Sequence, residues 1–589
     1  MKRVTWLLVV VFGLSLAACG EEEVLEEEGA GIEMQVSALS VSCSSDGSTP
    51  SISKYRVKIV DNNTIPPEVV ADISTGADQK VLRLDKIPES NNLELTLIGL
   101  SGDSSAAPVY FSRARGIQVE KGKTTPVFLA LGEYADYSCL APPVGAPNVL
   151  FPTVTSLPSG DVLIAGGFSL AKDPSGLGAF EISGPSDRAY IYDVRNGTVS
   201  TVGNLMNRGR GAHSAILLPK KGQVLLVGGT DRMYKDKGKA KFPWYFRKEM
   251  MGDVGNTYEI YDIESKTFLR WDENWPDKSY RMTKSVRRVF PGLSLNNDGT
   301  VLVTGGGQWR SVQTMMETDQ DYKVAEMYRP QTESYEGGFM DSFGALTMKA
   351  IRAGHTSVLM EVKDKLAHHL YWGGTDDSPV AEVYQESSGQ LDGIFGMFRA
   401  LEFQDNKQYD GIKPFFHTFT PLKDSSFLLA GGVLHKTEGL APPEAGHAYL
   451  VRITDGKANL QAIKGMTEGR YFHQAYSFDN QNVVLMGGFG MVLEEGAKLF
   501  ASDAMDDMRF FNSTSMAITL PAADKKGLPR GGFGLTVLPN DCVVLVGGVD
   551  NPAGALEFDS GTLPLIIEQY CPSTVCPESM WGSACYPEN

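Results

Sequence analysis

One short pattern, an apolar strand closed by two glycines, recurs seven times after residue 145 and constrains the fold more than any other feature. Its first copy covers residues 161–167, with the sequence Asp-Val-Leu-Ile-Ala-Gly-Gly. A glycine pair is typical of places where the backbone takes positive φ or another segment comes close. The seven pairs are Gly166-Gly167, Gly228-Gly229, Gly305-Gly306, Gly373-Gly374, Gly431-Gly432, Gly487-Gly488 and Gly547-Gly548.

The spacing of these pairs indicates a propeller. Successive first glycines are 56 to 77 residues apart, and each interval contains several strand-like segments. One such unit cannot bury the faces of its own sheet, so it stacks against its neighbours, and radial closure leaves only short edges. The sequence therefore predicts an all-β fold with a seven-bladed propeller over residues 148–570.

Composition limits the class of function. The chain has 589 residues, which favours more than one domain, and its formal net charge is -17. A nucleic-acid-binding protein neutralises phosphates with clustered Lys and Arg. The acidic balance therefore argues against a nucleic-acid partner.

The N-terminus has the pattern of an export signal. Lys2 and Arg3 precede an apolar run over residues 6–16, which is too short to span a bilayer as a mature helix. Residues 16–19, Leu-Ala-Ala-Cys, resemble the lipobox of bacterial lipoproteins. This resemblance implies that residues 1–19 are a lipoprotein signal and that Cys19 carries the lipid. An ordinary secretory signal with an incidental cysteine is the alternative.

An acidic segment follows the lipobox. Residues 20–34 include two runs of three glutamates, which is typical of a solvated tether. In some bacteria an acidic run at this place is a surface-export signal, and that reading stays open. Lipoproteins held at the inner membrane often have Asp after the cysteine, and Gly20 departs from that pattern. We therefore expect the outer membrane of a bacterial envelope, with the side of the membrane left open.

Six cysteines remain after Cys19, and an even number in an exported chain predicts up to three disulfides. None of their spacings is typical of a zinc site. We expect Cys43 to pair with Cys139 around one domain. The other four are expected to pair among themselves, with a bridge from Cys542 to Cys571 in the last blade and one within the tail 571–589. These four are Cys542, Cys571, Cys576 and Cys585.

The segment between tether and propeller reads as a small β domain. Residues 35–140 contain about seven short strand-like segments, and residues 93–97 alternate well between apolar and polar. This pattern predicts a β-sandwich of immunoglobulin-like or transthyretin-like type. Its role would be that of a spacer or of a binding domain. Residues 141–147 contain three prolines and predict a short stiff linker.

Within each repeat the pattern resolves into four strands. In the second repeat, residues 210–214 read Arg-Gly-Ala-His-Ser, a strand ends at Gly228-Gly229, and residues 257–262 end in Tyr-Asp before Thr267 and Trp271. This order is similar to the kelch repeat. The third strand recurs at 189–193, 325–328, 381–384 and 555–559, and more weakly near 447–451 and 498–501.

The kelch resemblance covers residues 148–570 and implies blades of four strands around a central channel. Kelch propellers usually close by pairing strands from both chain ends in one blade. Here the first repeat has its own first strand at 151–157, and the last repeat has a candidate fourth strand at 563–570. The sequence therefore leaves closure by strand exchange open.

A set of arginines and histidines lies near the start of the first strand in most repeats. The resemblance places these positions on the innermost strand, at the mouth of the channel. Because each blade repeats the same packing problem, they are either structural or channel-lining, and metal binding by the histidines is an alternative. The candidates are Arg210, His213, Arg352, His355, His417, Arg470, His473 and Arg530.

Long loops between the second and third strands should lie on the same face as this mouth. They cover about 168–188, 230–256 and 308–323 in repeats one to three, whereas repeats four and seven have loops of only a few residues. The loop of repeat two is basic and aromatic in an acidic protein. Aromatic residues and Arg dominate protein interfaces and stack on sugars. Trp244, Tyr245 and Arg247 are therefore candidate binding residues, and a loop folded over its own blade is the alternative.

Motifs of several enzyme classes are missing. Residues 297–300, Asn-Asp-Gly-Thr, lack the rest of a sialidase Asp box, and neither Gly-x-Ser-x-Gly nor His-Glu-x-x-His occurs. Copper oxidases resembling galactose oxidase need a crosslinked Cys and Tyr with further Tyr and His ligands, and no such set is evident. We expect no cofactor and no metal.

The sequence favours a lipid-anchored envelope protein whose propeller binds a protein or glycan. The alternative is a sugar-modifying enzyme, epimerase-like or oxidase-like, that uses Arg and His in the channel. The two differ in one structural property. An enzyme needs a polar pocket at the channel mouth, whereas a channel filled by apolar side chains would count against one.

Overall fold

The fold is described from a computed structural model of the chain. The described residues are 30–38, 51–77, 81–102, 107–169, 179–182, 184–236, 244–245, 253–270, 280–283, 286–307, 320–332, 337–340, 346–375, 378–387, 396–404, 412–436, 439–441, 448–466, 469–477, 481–494, 498–505, 508–519, 527–549 and 564–571. The predicted signal, residues 20–29 of the predicted tether and most of the tail lie outside these ranges, whereas residues 30–34 belong to the first strand of the N-terminal domain and not to a tether.

The N-terminal domain is a seven-stranded sheet. Its strands are β1 (Ala30–Ala38), β2 (Lys54–Asp61), β3 (Glu68–Gly76), β4 (Val81–Ile87), β5 (Ser90–Ser101), β6 (Ala107–Val119) and β7 (Thr124–Glu133). The order is β3-β2-β5-β6-β7-β1-β4, and β1 runs parallel to β7. Ile32, Val57 and Leu95, from separate strands, share one hydrophobic core. Whether this sheet is an immunoglobulin-like or transthyretin-like sandwich stays a prediction.

The first half of the propeller and its loops consist of short strands. The first group is β8 (Tyr137–Cys139), β9 (Thr153–Ser156), β10 (Val162–Ala165), β11 (Ala179–Ile182), β12 (Ala189–Asp193), β13 (Thr198–Thr201), β14 (Ser214–Leu218), β15 (Gln223–Val227), β16 (Met233–Asp236), β17 (Trp244–Tyr245), β18 (Tyr258–Asp262), β19 (Thr267–Phe268), β20 (Gly292–Leu295), β21 (Val301–Thr304), β22 (Val324–Arg329), β23 (Gly338–Met340) and β24 (Leu346–Thr347).

The second half of the propeller continues in the same way. Its strands are β25 (Thr356–Lys363), β26 (Leu366–Trp372), β27 (Ala381–Glu386), β28 (Gly396–Ala400), β29 (Glu402–Phe403), β30 (Thr418–Pro421), β31 (Ser426–Ala430), β32 (Leu434–Lys436), β33 (Gly439–Ala441), β34 (Ala448–Thr454), β35 (Lys457–Ala462), β36 (Arg470–Tyr471), β37 (Gln474–Ser477), β38 (Asn482–Met486), β39 (Phe489–Glu494), β40 (Lys498–Ala504), β41 (Met508–Asn512), β42 (Ala517–Thr519), β43 (Gly534–Val537), β44 (Val543–Val546) and β45 (Ile567–Tyr570). Short 3-10 helices are Pro219–Lys221, Asp253–Asn256 and Gln320–Lys323.

Seven sheets form the blades, which confirms the predicted all-β, seven-bladed arrangement. From the channel outward they are β9-β10-β12-β13, β14-β15-β18-β19, β20-β21-β22-β23, β25-β26-β27-β28, β30-β31-β34-β35, β37-β38-β41-β42 and β43-β44-β45-β8. The innermost strands contact one another in a closed cycle, from β9 through β14, β20, β25, β30, β37 and β43 back to β9. Each blade can therefore bury both faces of its sheet against its neighbours.

Two blade assignments from the sequence are wrong. In blade six the third strand is β41, which pairs with β38, whereas β40 pairs with β39 in a separate loop sheet. In blade seven β45 is the third strand, not the fourth, because it pairs with β44 on one edge and with β8 on the other. Residues 555–559, predicted as that third strand, lie outside the described residues. The loop of blade seven, between β44 and β45, therefore spans 547–566 and is not short.

The propeller closes by strand exchange. The outermost strand of blade seven is β8, which comes from the N-terminal side of the linker and pairs antiparallel with β45. The backbone N–H of Ala135 also donates to the carbonyl of Cys571 at 2.9 Å, and that of Leu140 donates to Ile567 at 3.0 Å. Strands from both ends of the propeller segment are therefore held in one blade, which protects an edge that would otherwise be open.

A disulfide lies in the same blade. Cys542 and Cys571 are bonded, which confirms the expected bridge. Gly132 of β7 lies against this bridge, since an ideal Cβ there would come within 2.2 Å of the Cys571 sulfur. Cys139 is also disulfide-bonded. Its partner lies outside the described residues, as do Cys43, Cys576 and Cys585, so the predicted Cys43–Cys139 bridge stays a prediction.

Charged side chains join the N-terminal domain to blade seven. The Arg113 guanidinium donates to Asp541 at 2.9 Å, and that of Arg115 donates to Asp541 at 2.7 Å and to Glu94 at 3.2 Å. Burial raises the pKa of Asp541, and the two arginines oppose that rise. Removing one partner from a buried pair leaves an uncompensated charge, so this contact fixes the domain at one place on the ring.

The glycine pairs are the joints between blades. The N–H of the second glycine donates to a carbonyl of the next blade: Gly167 to Arg210 (2.9 Å), Gly229 to Arg288 (2.8 Å), Gly374 to Pro414 (2.8 Å), Gly432 to Arg470 (2.7 Å), Gly488 to Arg530 (2.8 Å) and Gly548 to Val149 (2.8 Å). Both glycines of each pair have positive φ. The close approach leaves no room for a side chain, because a Cβ at Gly228 would lie 2.5 Å from the Arg288 carbonyl oxygen.

Two alanine substitutions distinguish the cost of the close contact between blades from the cost of a left-handed backbone. Gly228 and Gly222 have φ of 68° and 62°, but a Cβ at Gly222 meets nothing within 4 Å. Gly222→Ala should lower the free energy of unfolding by about 1 kcal/mol, the cost of the left-handed backbone. Gly228→Ala should cost at least about 2 kcal/mol more, because the joint must open. Urea unfolding of both variants measures the difference, and equal losses would contradict the joint.

Candidate functional site

The loop-side mouth of the channel is closed by phenylalanines. One residue per blade, just before the innermost strand, has a left-handed backbone: Phe151, Ala212, Phe290, Gly354, Phe416, Phe472 and Gly532. The four aromatic rings meet at the channel axis, with centroids 4.7 Å apart for Phe151 and Phe472 and 4.2 Å for Phe416 and Phe472. We call these four rings the phenylalanine plug. They belong to one buried cluster with residues that follow the glycine pairs.

Backbone hydrogen bonds link these residues around the channel. Among the described residues, N–H groups donate to the matching carbonyl of the neighbouring blade: Phe151 to Gly532 (2.7 Å), Ala212 to Phe151 (3.3 Å), Phe290 to Ala212 (2.8 Å), Phe416 to Gly354 (2.8 Å), Phe472 to Phe416 (3.4 Å) and Gly532 to Phe472 (3.2 Å). A left-handed backbone is unfavourable for Phe and persists only where surrounding contacts impose it. The plug is therefore part of the ring itself.

The predicted arginines lie in the joints and not in the channel. Arg210, Arg352 and Arg470 are fully buried, and Arg530 is 3% exposed. Each guanidinium donates to the carbonyl of the first glycine in its own blade: Arg210 to Gly228 (2.8 Å), Arg352 to Gly373 (2.6 Å), Arg470 to Gly487 (3.3 Å) and Arg530 to Gly547 (3.3 Å). These contacts hold the glycine turn in place.

Sequence reasoning missed the acidic partners of these arginines. Three of them, and Arg288 of blade three, pair with a buried glutamate on the third strand: Arg210 with Glu259 (3.0 Å), Arg288 with Glu326 (2.9 Å), Arg352 with Glu382 (3.0 Å) and Arg530 with Glu568. Arg288, in blade three, was also missed. The signal was present, because a glutamate before x-Tyr recurs in these third strands. In blade one, Val149 and Tyr190 take the two positions, so the pair is replaced as a unit.

The four histidines make a second contact between blades. Each imidazole Nε2 lies at hydrogen-bond distance from a threonine hydroxyl of the preceding blade: His213 from Thr153 (2.9 Å), His355 from Thr304 (3.0 Å), His417 from Thr356 (2.9 Å) and His473 from Thr418 (2.9 Å). Their rings also cover the first glycine of that blade. In blade seven Phe533 takes this position against Gly487.

Burial keeps these imidazoles neutral. Desolvation lowers the pKa of His355 and His417 to about 3, and lowers the pKa of His213 and His473 well below its usual value. The neighbouring arginines add to the shift of His213, His355 and His473. Among the described residues, no three His, Cys, Asp or Glu side chains are placed to hold a metal ion together.

The loops of blades one and two form a shared sheet at the same mouth. β11 pairs with β16, and β16 pairs with β17, in the order β11-β16-β17. Trp244 and Tyr245 are the two residues of β17, and their backbones lie opposite Lys235 and Tyr234. Arg247 lies outside the described residues. The basic and aromatic loop of repeat two therefore contains strands that pair with the loop of blade one.

No protein-family model matches the chain, and no curated protein sequence matches it. One similar solved structure is a fungal alcohol oxidase of the AA5 family in complex with copper, with 11% identity, a TM-score of 0.43, and coverage of 73% of this chain and 76% of that one. Another is YjhT, with 13% identity, a TM-score of 0.35, and coverage of 65% and 99%. At these values neither similarity carries a functional argument.

In the described part of the chain, no helix is both long and apolar enough to cross a membrane. The lipobox and Cys19 lie outside that part.

Acid titration of the buried histidines should lower stability. The unfolded chain binds a proton at each histidine below about pH 6.5, whereas folded His417 stays neutral down to about 3. The free energy of unfolding therefore falls as pH drops from 6.5 towards 3. His417→Phe, which copies Phe533 of blade seven, should reduce that slope by up to about 1.4 kcal/mol per pH unit.

Urea unfolding between pH 7 and pH 4 measures the slope. Thr356→Val is the matched control, because it removes the hydroxyl partner of His417 but keeps the imidazole. It should lower stability by a similar amount at every pH and leave the slope unchanged. If the His417→Phe variant has the same slope as the wild type, His417 takes up a proton as readily in the folded protein as in the unfolded chain, which contradicts the prediction.

Proposed function

We propose that the chain is a lipid-anchored protein of the bacterial cell envelope whose kelch-like propeller binds a protein or glycan at its loop face. The lipobox at residues 16–19 and the acidic segment 20–34 support the anchor and tether. The outer membrane is the proposed location, because Gly20 follows the lipid-modified cysteine. The N-terminal domain would hold the propeller away from the membrane.

The phenylalanine plug is the observation that carries the binding proposal. It fills the channel mouth on the loop face with apolar rings, where an enzyme of the alternative class would need converging polar groups. The arginines that such an enzyme would use are buried in blade joints, and the Nε2 atom of each histidine is engaged by a threonine of the preceding blade. A closed, broad face with loops around it fits a binding module better than a reaction pocket.

The shared loop sheet supports the place of binding. It holds Trp244 and Tyr245 on a strand that is paired to a loop of the neighbouring blade through β16 and β11. Aromatic residues on a rigid framework lose little conformational entropy on binding, and they provide most of the energy in many interfaces. Lys and Arg in the same loop would favour an acidic or hydroxyl-rich partner.

Substitution of the loop aromatics tests the proposal. A Trp244→Ala/Tyr245→Ala/Arg247→Ala variant should lose at least about tenfold in affinity for envelope proteins or array glycans that the wild-type chain retains. Pull-down from native envelope and a glycan array measure this loss.

The control carries Leu359→Ala and Val362→Ala, in the hairpin of β25 and β26 on the opposite face, where both side chains are about half exposed. It should retain wild-type binding. Unchanged partners in the loop variant, or equal losses in both variants, would overturn the loop face as the binding surface.

A further inference from the structure

A cavity lies in the channel behind the phenylalanine plug. Its volume is about 450 Å³, which is in the range of small-molecule sites. The plug forms one end, and the lining continues along the innermost strands, through Ser214, Thr356 and Gln474, as far as Thr420 of β30. Because the plug closes the loop side, the cavity extends away from the loop face and is separate from the binding surface proposed above.

The cavity wall carries no formal charge at neutral pH. Its side chains are phenylalanines, prolines, threonines, serine, glutamine, alanine and the four buried histidines, which stay neutral. No Lys, Arg, Asp or Glu lines it. A ligand with a carboxylate, phosphate or ammonium group would lose its hydration here without gaining an ionic partner, which is costly.

The wall is nevertheless rich in hydrogen-bonding groups. The innermost strands pair on one edge only, so their other edge presents backbone N–H and C=O groups towards the channel. The side chains of Thr420 and Gln474 add a hydroxyl and an amide. A threonine hydroxyl both donates and accepts, and so does a carboxamide. Such a wall suits a ligand with several hydroxyl groups.

The end formed by the plug is aromatic. Phe151, Phe290, Phe416 and Phe472 all line the cavity, and their ring centroids are 4.2 to 5.7 Å apart where they contact. The apolar face of a sugar ring packs on such a surface while its hydroxyls point to the sides. Three features of the cavity thus favour an uncharged ligand with hydroxyl groups and an apolar ring face. They are the uncharged wall, the hydroxyl and backbone hydrogen-bonding groups, and the aromatic end.

From this combination we propose that the channel cavity binds a neutral saccharide, of one or two rings, through the face opposite the loops. The sugar ring stacks against the phenylalanine plug, and its hydroxyls bond to Thr420, Gln474 and the edges of the innermost strands. The cavity contains no residue of the loop sheet, so a failure of the proposed binding at the loops would not count against this site.

Calorimetric titration of the full chain with maltose, lactose and cellobiose tests this site, with sialyllactose as an anionic probe and indole as an apolar probe. At least one neutral disaccharide should bind, and sialyllactose and indole should bind at least about tenfold more weakly. Thr420→Val keeps the shape of the side chain and removes its hydroxyl, so it should weaken sugar binding about tenfold.

Two variants serve as controls. Thr536→Val makes the same change on β43, at a position that does not line the cavity, and should leave sugar affinity within about twofold. The Trp244→Ala/Tyr245→Ala/Arg247→Ala variant should also bind the sugar normally. Absence of binding by all three disaccharides, tighter binding of sialyllactose or indole, or a Thr420→Val variant with wild-type affinity would each overturn the proposal.

Discussion

The hydrogen bond from the second glycine to a carbonyl of the next blade, present in six of the seven pairs, is the contact on which the rest of the propeller depends. It needs two successive residues with positive φ and no side chain, and only glycine supplies both without strain. It brings the start of one innermost strand against the end of the neighbouring second strand. The buried arginines, the histidine–threonine contacts and the phenylalanine plug all lie around this joint.

This geometry decides which residues are available for function. Arginine and histidine, often the reactive groups of a channel, are used here to hold glycine turns and to bridge blades. The phenylalanine plug separates two surfaces, the loop face with β11-β16-β17 and the uncharged channel behind it. Binding at the loops and binding in the channel can therefore involve different ligands, and substitutions on one side should not affect the other.

The sequence predicted the blade count because the glycine pair is a backbone requirement that each blade must meet. It did not predict blade seven, because residues 555–559 resemble a third strand while the true one, β45, follows later and takes its outer partner, β8, from far away in the chain. The Cys542–Cys571 bridge was predicted. The phenylalanine plug was not, because Phe before Pro or His looks like ordinary core. Glu382 and its counterparts were visible as a repeated motif, but their pairing with arginine depends on strand register.

Native-state hydrogen exchange of the joint glycines tests most directly whether the blades close as one ring. The reporting N–H groups belong to Gly167, Gly229, Gly374, Gly432, Gly488 and Gly548. If each joint depends on the closed cycle, all six should exchange only through global unfolding, with equal free energies and the same dependence on denaturant. Fast exchange at one joint while the others stay protected would show that blades open singly, and would contradict the account.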